Sequence, residues 1–208
     1  MIELQSKTLG DYQTNCYLLI DSMSRDAILV DVPDEAETIL SWIEPFALKR
    51  IVLTHGHIDH TGALDRVRQS LRVPVAIHPA DGRDFNIVTE ATLEQDSSIP
   101  LGEARLEVAC IPGHTQGSIA LKVFEGGVFL FAIVGDSIFP GGPGHTASPE
   151  ALRQSLEALE RTVFTWPDSI ELHPGHGVST TVGAERPAFD SLRSNPLPPD
   201  LYGDVLWR

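Results

Sequence analysis

The chain has 208 residues, 42% of them apolar, and carries 15 Lys and Arg against 29 Asp and Glu, a formal net charge of −14. That length and apolar content suffice for a sizeable core and argue against wholesale disorder. The acidity argues against nucleic acid as the main partner, because phosphate binding is driven by Lys and Arg, and against an anionic membrane surface. The longest apolar run, 128–134, is too short to span a bilayer, and residues 1–7 contain no apolar signal core. Cys16 and Cys110, with no Cys-x-x-Cys pair, suggest neither a disulfide framework nor a thiolate metal site. The expectation is a soluble cytoplasmic protein.

Residues 14–20 and 27–31 read as paired strands about a turn at 21–26. Residues 34–47 place Ala36, Ile39, Leu40, Ile43 and Phe46 on a helical stripe started by Pro33 and Asp34. A strand at 50–54, a helix at about 60–71 and a short strand at 74–77 follow. Residues 79–100 have little periodicity and read as a small helix and a mobile loop. Residues 106–111 alternate as a strand, and 118–124 and 128–134 form a hairpin about Glu125-Gly126-Gly127. Residues 149–163 are an amphipathic helix with Leu152, Leu156, Leu159 and Val163 on one face, started by Ser148 and Pro149. A last strand falls at 170–173. The tail at about 196–208 is Pro-rich yet contains Tyr202, Leu206 and Trp207, and is expected to pack on the body or on a partner chain, which would make an oligomer. Strands alternate with helices through both halves, so the expected class is an α/β sandwich, one domain over 1–208.

Residues 54–60, Thr-His-Gly-His-Ile-Asp-His, place three imidazoles and a carboxylate directly after an apolar strand. Binding a transition metal is the foremost chemistry that needs this density of borderline ligands. His55 and His57 are two apart and point to one side if the extended geometry persists. Asp59 and His60 follow the turn and can face a second point, so one segment could feed two ions. Three later segments each deliver a His or Asp after a strand, flanked by Gly or Pro: His114 in 111–115, Asp136 in 134–137 and His176 in 172–177.

T-H-G-H-I-D-H, P-G-H-T, G-D and P-G-H-G, in this order over about residues 11–180, resemble the metallo-β-lactamase fold superfamily, and within it the glyoxalase II-like (hydroxyacylglutathione hydrolase-like) branch. The resemblance implies a four-layer αβ/βα sandwich with mixed sheets and a cleft for two divalent metal ions, zinc foremost, with iron or manganese also accommodated. His55, His57 and His114 would hold one ion and Asp59, His60 and His176 the other. Asp136 would bridge them together with a water or hydroxide, and Asp59 could accept that water's proton. The implied activity is hydrolysis of a small thioester similar to S-lactoylglutathione. Departures from the pattern are the absent C-terminal helical domain and His145, where many relatives have Arg. Cysteine-containing β-lactamases have Cys where Asp136 stands, which argues against antibiotic destruction. Other readings of the same ligands are a persulfide dioxygenase-like mononuclear iron oxidoreductase, a lactonase or other ester hydrolase, a nucleic-acid hydrolase, and a non-catalytic metal-binding protein. For His78 and His173 a structural role is the expectation. His145 is open, Asp31 either orients a ligand or caps a turn, and Cys16 and Cys110 are buried small apolar groups.

Overall fold

The computed structural model describes residues 1–207. Its first half comprises β1 (Ile2–Leu9), β2 (Thr14–Asp21), β3 (Asp26–Val30), α1 (Ala36–Ile43), β4 (Ala47–Val52), α2 (Ile58–Thr61), α3 (Leu64–Leu71), β5 (Val75–Ile77), α4 (Pro79–Asp84) and β6 (Ala91–Thr92). The six strands form one mixed sheet in sequential order, antiparallel from β1 to β3 and parallel from β3 to β6. The second half comprises β7 (Ser98–Leu101), β8 (Ala104–Cys110), β9 (Ile119–Glu125), β10 (Val128–Gly135), a small hairpin of β11 (Ile138–Phe139) and β12 (Gly142–Pro143), α5 (Pro149–Arg161), β13 (Glu171–Pro174), β14 (Thr180–Thr181) and α6 (Val182–Arg193). Its sheet runs β14-β13-β10-β9-β8-β7, with β10 and β13 parallel and the other neighbours antiparallel.

Strand alternation sorts the apolar side chains into three cores. In β2, Tyr17 and Leu19 face the space between the sheets, where they meet Val108, Leu121 and Ile133 of the other sheet. Cys16, Leu18 and Ile20 of the same strand face outward onto Ile39 and Ile43 of α1 and Leu64 and Val67 of α3. In the second sheet, Ala120, Ala132 and Val134 face Leu152, Leu156 and Leu159 of α5 and Phe189 of α6. Three cores separate four layers, helix–sheet–sheet–helix, the expected αβ/βα sandwich. Glu125 and Val128 close the β9–β10 hairpin, and Gly126 and Gly127, at φ 58° and 82°, supply the left-handed pair that its two-residue turn demands.

Several elements differ from the sequence reading. Residues 2–9 form an edge strand whose alternation is blurred by Gln5 and Ser6. The segment 79–100, read as a small helix and mobile loop, contains α4 and then the strands β6 and β7. The helix expected at 60–71 is two, because the chain turns at Gly62 and Ala63 to return from the cluster to the core. Helix α6 escaped notice because Pro187 interrupts its interior. Val205 and Trp207 of the tail are buried in the core of α5 and α6, with Trp207 Nε1 donating to Glu185 at 3.1 Å. Arg208 of that tail lies outside the described residues. Cys16 and Cys110 are both free thiols. Among the described residues no helix is long and apolar enough to cross a membrane.

Candidate metal centre

Strand ends from both sheets converge on one rim of the sandwich. The segment after β4 carries His55 and His57, and α2 begins directly after His57 and brings Asp59 and His60. His114 follows β8, Asp136 follows β10 and His176 follows β13. The chain therefore places all seven sequence-predicted residues together, in two adjoining groups. One is His55, His57 and His114; the other is Asp59, His60, Asp136 and His176, and within each group the ligand atoms lie within 4.8 Å of one another. His57 Nδ1 is 3.1 Å from His55 Nε2 and 2.9 Å from His114 Nε2. In the second group, His176 Nε2 is 3.2 Å from Asp59 Oδ2 and 3.4 Å from His60 Nε2. Asp136 joins the groups: Oδ2 is 3.6 Å from His114 Nε2 and 3.4 Å from His176 Nε2, and Oδ1 is 3.3 Å from His60 Nε2.

Outer partners fix the imidazoles. His60 Nδ1 donates to Asp31 Oδ2 at 2.7 Å, His114 Nδ1 to the His145 carbonyl at 2.8 Å, and His176 Nδ1 to the Tyr12 carbonyl at 3.0 Å. The Thr54 hydroxyl donates to Asp31, so at 3.1 Å it accepts from His55 Nδ1. With Nδ1 thus protonated outward, the Nε2 atoms of four imidazoles point inward onto carboxylates and onto one another, ready to bind an ion or hold a proton. Among His55, His57 and His114 at most one proton, on His57 Nδ1, can be shared. Asp136 Oδ1 is buried and accepts no hydrogen bond. Convergent buried acceptors without donors are costly unless a cation or proton fills the space between them. The donor set, imidazole and carboxylate, is one that divalent transition metals accept, and each group offers at least three such ligands.

Protonation follows the same partition. Burial, reinforced by the neighbouring imidazoles, holds His55 well below its ordinary value, and burial lowers His57 and His114 as well. Burial also acts to lower His60, but the carboxylates of Asp31 and Asp136 outweigh it and push His60 up to about 10. Asp136 raises His176. Burial works against the Asp136 carboxylate, yet His176 and His60 hold it well below the usual carboxylate range.

Three supports were not evident from sequence. Asp81, fully buried in α4, accepts Gly56 N–H at 2.8 Å, Gly117 N–H at 2.6 Å and the Thr115 hydroxyl at 2.8 Å, tying the His57 loop to the His114 loop. Asn15 Nδ2 donates to the carbonyls of Pro174 and Gly177, and Tyr17 Oη donates to that of Pro174, so β2 grips the loop bearing His176. A polar side chain predicted inside a buried strand was the available signal for Asn15; Asp81 gave none. Asp31 orients His60 rather than capping a turn. The His145 side chain is exposed with Nδ1 3.1 Å from Asp204, and it is its carbonyl that holds His114. His78 caps α4, and His173 packs on the rings of Tyr17 and Phe131, away from both groups.

Comparison with known proteins agrees with this architecture. The model of the Metallo-beta-lactamase superfamily matches residues 9–164, and the chain belongs to that superfamily. Hydroxyacylglutathione hydrolase GloC of Haemophilus influenzae is 31% identical over 207 residues, 89% of this chain and 93% of that protein. Among solved structures, BLEG-1 B3 metallo-beta-lactamase superposes with a TM-score of 0.75 at 25% identity, covering 89% of this chain and 97% of that one. TTHA1623 in a di-iron-bound form gives 0.69 at 29% identity, covering 88% and 96%.

Proposed function

We propose that this chain is a dinuclear metallohydrolase acting on a small thioester of the S-lactoylglutathione kind. The observation that carries the proposal is the set of inward imidazole nitrogens in two adjoining groups, with the Asp136 carboxylate lying between them. His55, His57 and His114 would hold one ion, Asp59, His60 and His176 the other, and Asp136 both. Zinc is the foremost candidate; the di-iron form of TTHA1623 supports two-ion occupancy and keeps iron, beside manganese, in play. Bound divalent ions supply Lewis acidity and a water of lowered pKa. Asp59, partly exposed at the opening, would accept the proton of an attacking water. Asp31, Thr54 and the carbonyls of Tyr12 and His145 keep the ligand lone pairs aimed inward throughout. A thiolate leaves with little protonation, so the chemistry needs no dedicated acid on the leaving side, which favours a thioester over an amide. The name of GloC supports the hydroxyacyl thioester as the first substrate to try.

The test is metal analysis of protein purified without added metal, together with release of thiol from a thioester panel. Two ions per chain with thiol release is the expected result. His57→Ala and Asp136→Ala should lose metal and activity together, and a metal-free variant with full activity would overturn the reading. The same panel, extended to lactones, β-lactams and glutathione persulfide with dioxygen consumption, separates the ester, lactam and dioxygenase chemistries open to one ligand set.

A further inference from the structure

A cleft of about 310 Å³ opens beside Asp59, between the β1–β2 turn and the start of α2. It adjoins the group of Asp59, His60, Asp136 and His176, since Asp59 belongs both to that group and to the cleft wall, and the carbonyl of Tyr12, another lining residue, holds His176. Three features define its chemistry. Asp11, Asp34 and Asp59 line it, and among its described lining residues there is neither Lys nor Arg. Asp34 accepts the backbone N–H of Glu35, and Glu35 that of Gly10, so these neighbouring acids have neutral partners. Tyr12 and Ile58, 70% and 73% exposed, form an apolar rim. Thr14, also lining the cleft, is fully buried, and its hydroxyl has no hydrogen-bond partner. A buried unmatched hydroxyl on a cleft wall is a polar group without its partner, and a molecule seated in the cleft can supply one.

We propose that this cleft receives the thiol arm of the substrate and selects arms that carry a cationic ammonium group over anionic ones. This rests on the thioester reading: a hydroxyacyl group as short as lactoyl does not fill such a cleft, so the longer arm must occupy it. Asp59 would be neutralised by the ion it holds, but Asp11 and Asp34 have no cationic partner among the described residues, so they repel an anionic arm and attract a cation, and the exposed Tyr12 ring adds a cation–π face. Glutathione, with its two carboxylates, is then a poorer arm for this chain than a compact ammonium thiol.

The experiment compares S-lactoylthiocholine, S-lactoyl-N-acetylcysteamine and S-lactoyl-3-mercaptopropionate on zinc-loaded protein, with S-lactoylglutathione alongside. The quaternary nitrogen of thiocholine cannot take the acyl group from sulfur, so its ester is a clean cationic probe. Expected is kcat/KM falling from cationic through neutral to anionic arm, roughly tenfold between the ends as exposed ion pairs allow. In the Asp11→Asn, Asp34→Asn variant the ratio should collapse toward that set by thiol leaving ability alone. A readout independent of turnover is the backbone NMR shift of Gly10, Tyr12 and Gly62 on titration with 2-(methylthio)ethyl-trimethylammonium or 3-(methylthio)propionate. Shifts confined to the ammonium compound support the proposal. Equal rates and equal shifts, a preference for the anionic arms, or an unchanged ratio in the variant would overturn it. Ammonium-specific shifts without hydrolysis of any thioester would sink the thioester reading while leaving the cleft's charge preference standing.

Discussion

Asp31 stands at the C-terminal end of β3 with φ at 60°, a left-handed conformation that Asp and Asn tolerate better than bulkier residues. Its Oδ1 accepts the Thr54 N–H at 2.8 Å, while Oδ2 accepts both the Thr54 hydroxyl and His60 Nδ1. Three donors on one buried carboxylate leave no room for an amide. In Asp31→Asn the backbone can stay, but an NH2 group must face at least one donor, and His60 can relieve the clash by moving its proton to Nε2, inside the cluster. The expected outcome is a roughly 10–100-fold weaker affinity for the second ion, the usual cost of losing an outer-shell partner, measured by competition with a chelator. Equal retention of both ions would refute it. Gly175 makes a sharper residue-scale case: a Cβ there would sit 2.1 Å from Asp136 Oδ1 and 2.5 Å from His60 Cε1. Gly175→Ala should therefore reduce metal content to one ion or none while far-ultraviolet circular dichroism stays native. The sequence showed the ligand types because imidazoles next to Gly and Pro at strand ends have few other uses. It left Asp31 ambiguous, because a strand-end Asp that caps a turn has the same local sequence as one that aims a histidine.

At the scale of elements, the strands and helices that bear ligands were the most legible, because each is a buried apolar run or stripe with a turn residue at its end. Legibility failed where pattern and environment part. β1 lies at a sheet edge, where Gln5 and Ser6 break its alternation, and β6 is two residues long, too short to show a pattern. Helix α4 is short, and its one buried acid serves other segments of chain. Asp81 accepts hydrogen bonds from Gly56, Thr115 and Gly117, on the two loops that carry His57 and His114. Removing its carboxylate in Asp81→Ala strands two buried N–H groups, at roughly 1–3 kcal/mol each. The expected loss is about 2–5 kcal/mol in urea unfolding, with a larger fall in affinity at the three-histidine group, since all three of its ligands lie on the two segments that Asp81 ties together. An equal fall at both groups would show that Asp81 acts on the fold as a whole rather than on these two loops.

The whole molecule couples its two halves through protons. Each sheet delivers part of each ligand group, so neither group forms until the sheets pack, and their charges are set by that packing. His60, pushed up to about 10 by Asp31 and Asp136, carries a proton on Nε2 at neutral pH in the metal-free protein. An ion binding there must displace it, so affinity at the group of Asp59, His60 and His176 should fall about tenfold per pH unit and per proton below pH 10. His55, His57 and His114 are lowered from 6.5 and neutral at pH 7.5, so their group takes up an ion without releasing protons. Titration calorimetry at pH 7.5 in two buffers of different ionisation enthalpy should resolve one binding step with no proton release and one with release of about one proton from His60, more if His176 contributes. The stability of the metal-free protein has the matching signs. The raised His60 stabilises fully below 6.5, and that contribution is lost as pH climbs through about 10. The three lowered histidines stabilise above 6.5, and theirs is lost as pH falls below it. The metal-free Tm should therefore peak near pH 6.5, fall as pH climbs from there toward about 10, and fall on the acid side as well. Bound metal should flatten the alkaline side first, because an ion in place of the His60 proton does not leave as pH rises. A metal-free Tm still climbing at pH 10, or two calorimetric steps with equal proton release, would show that the site is not divided in this way.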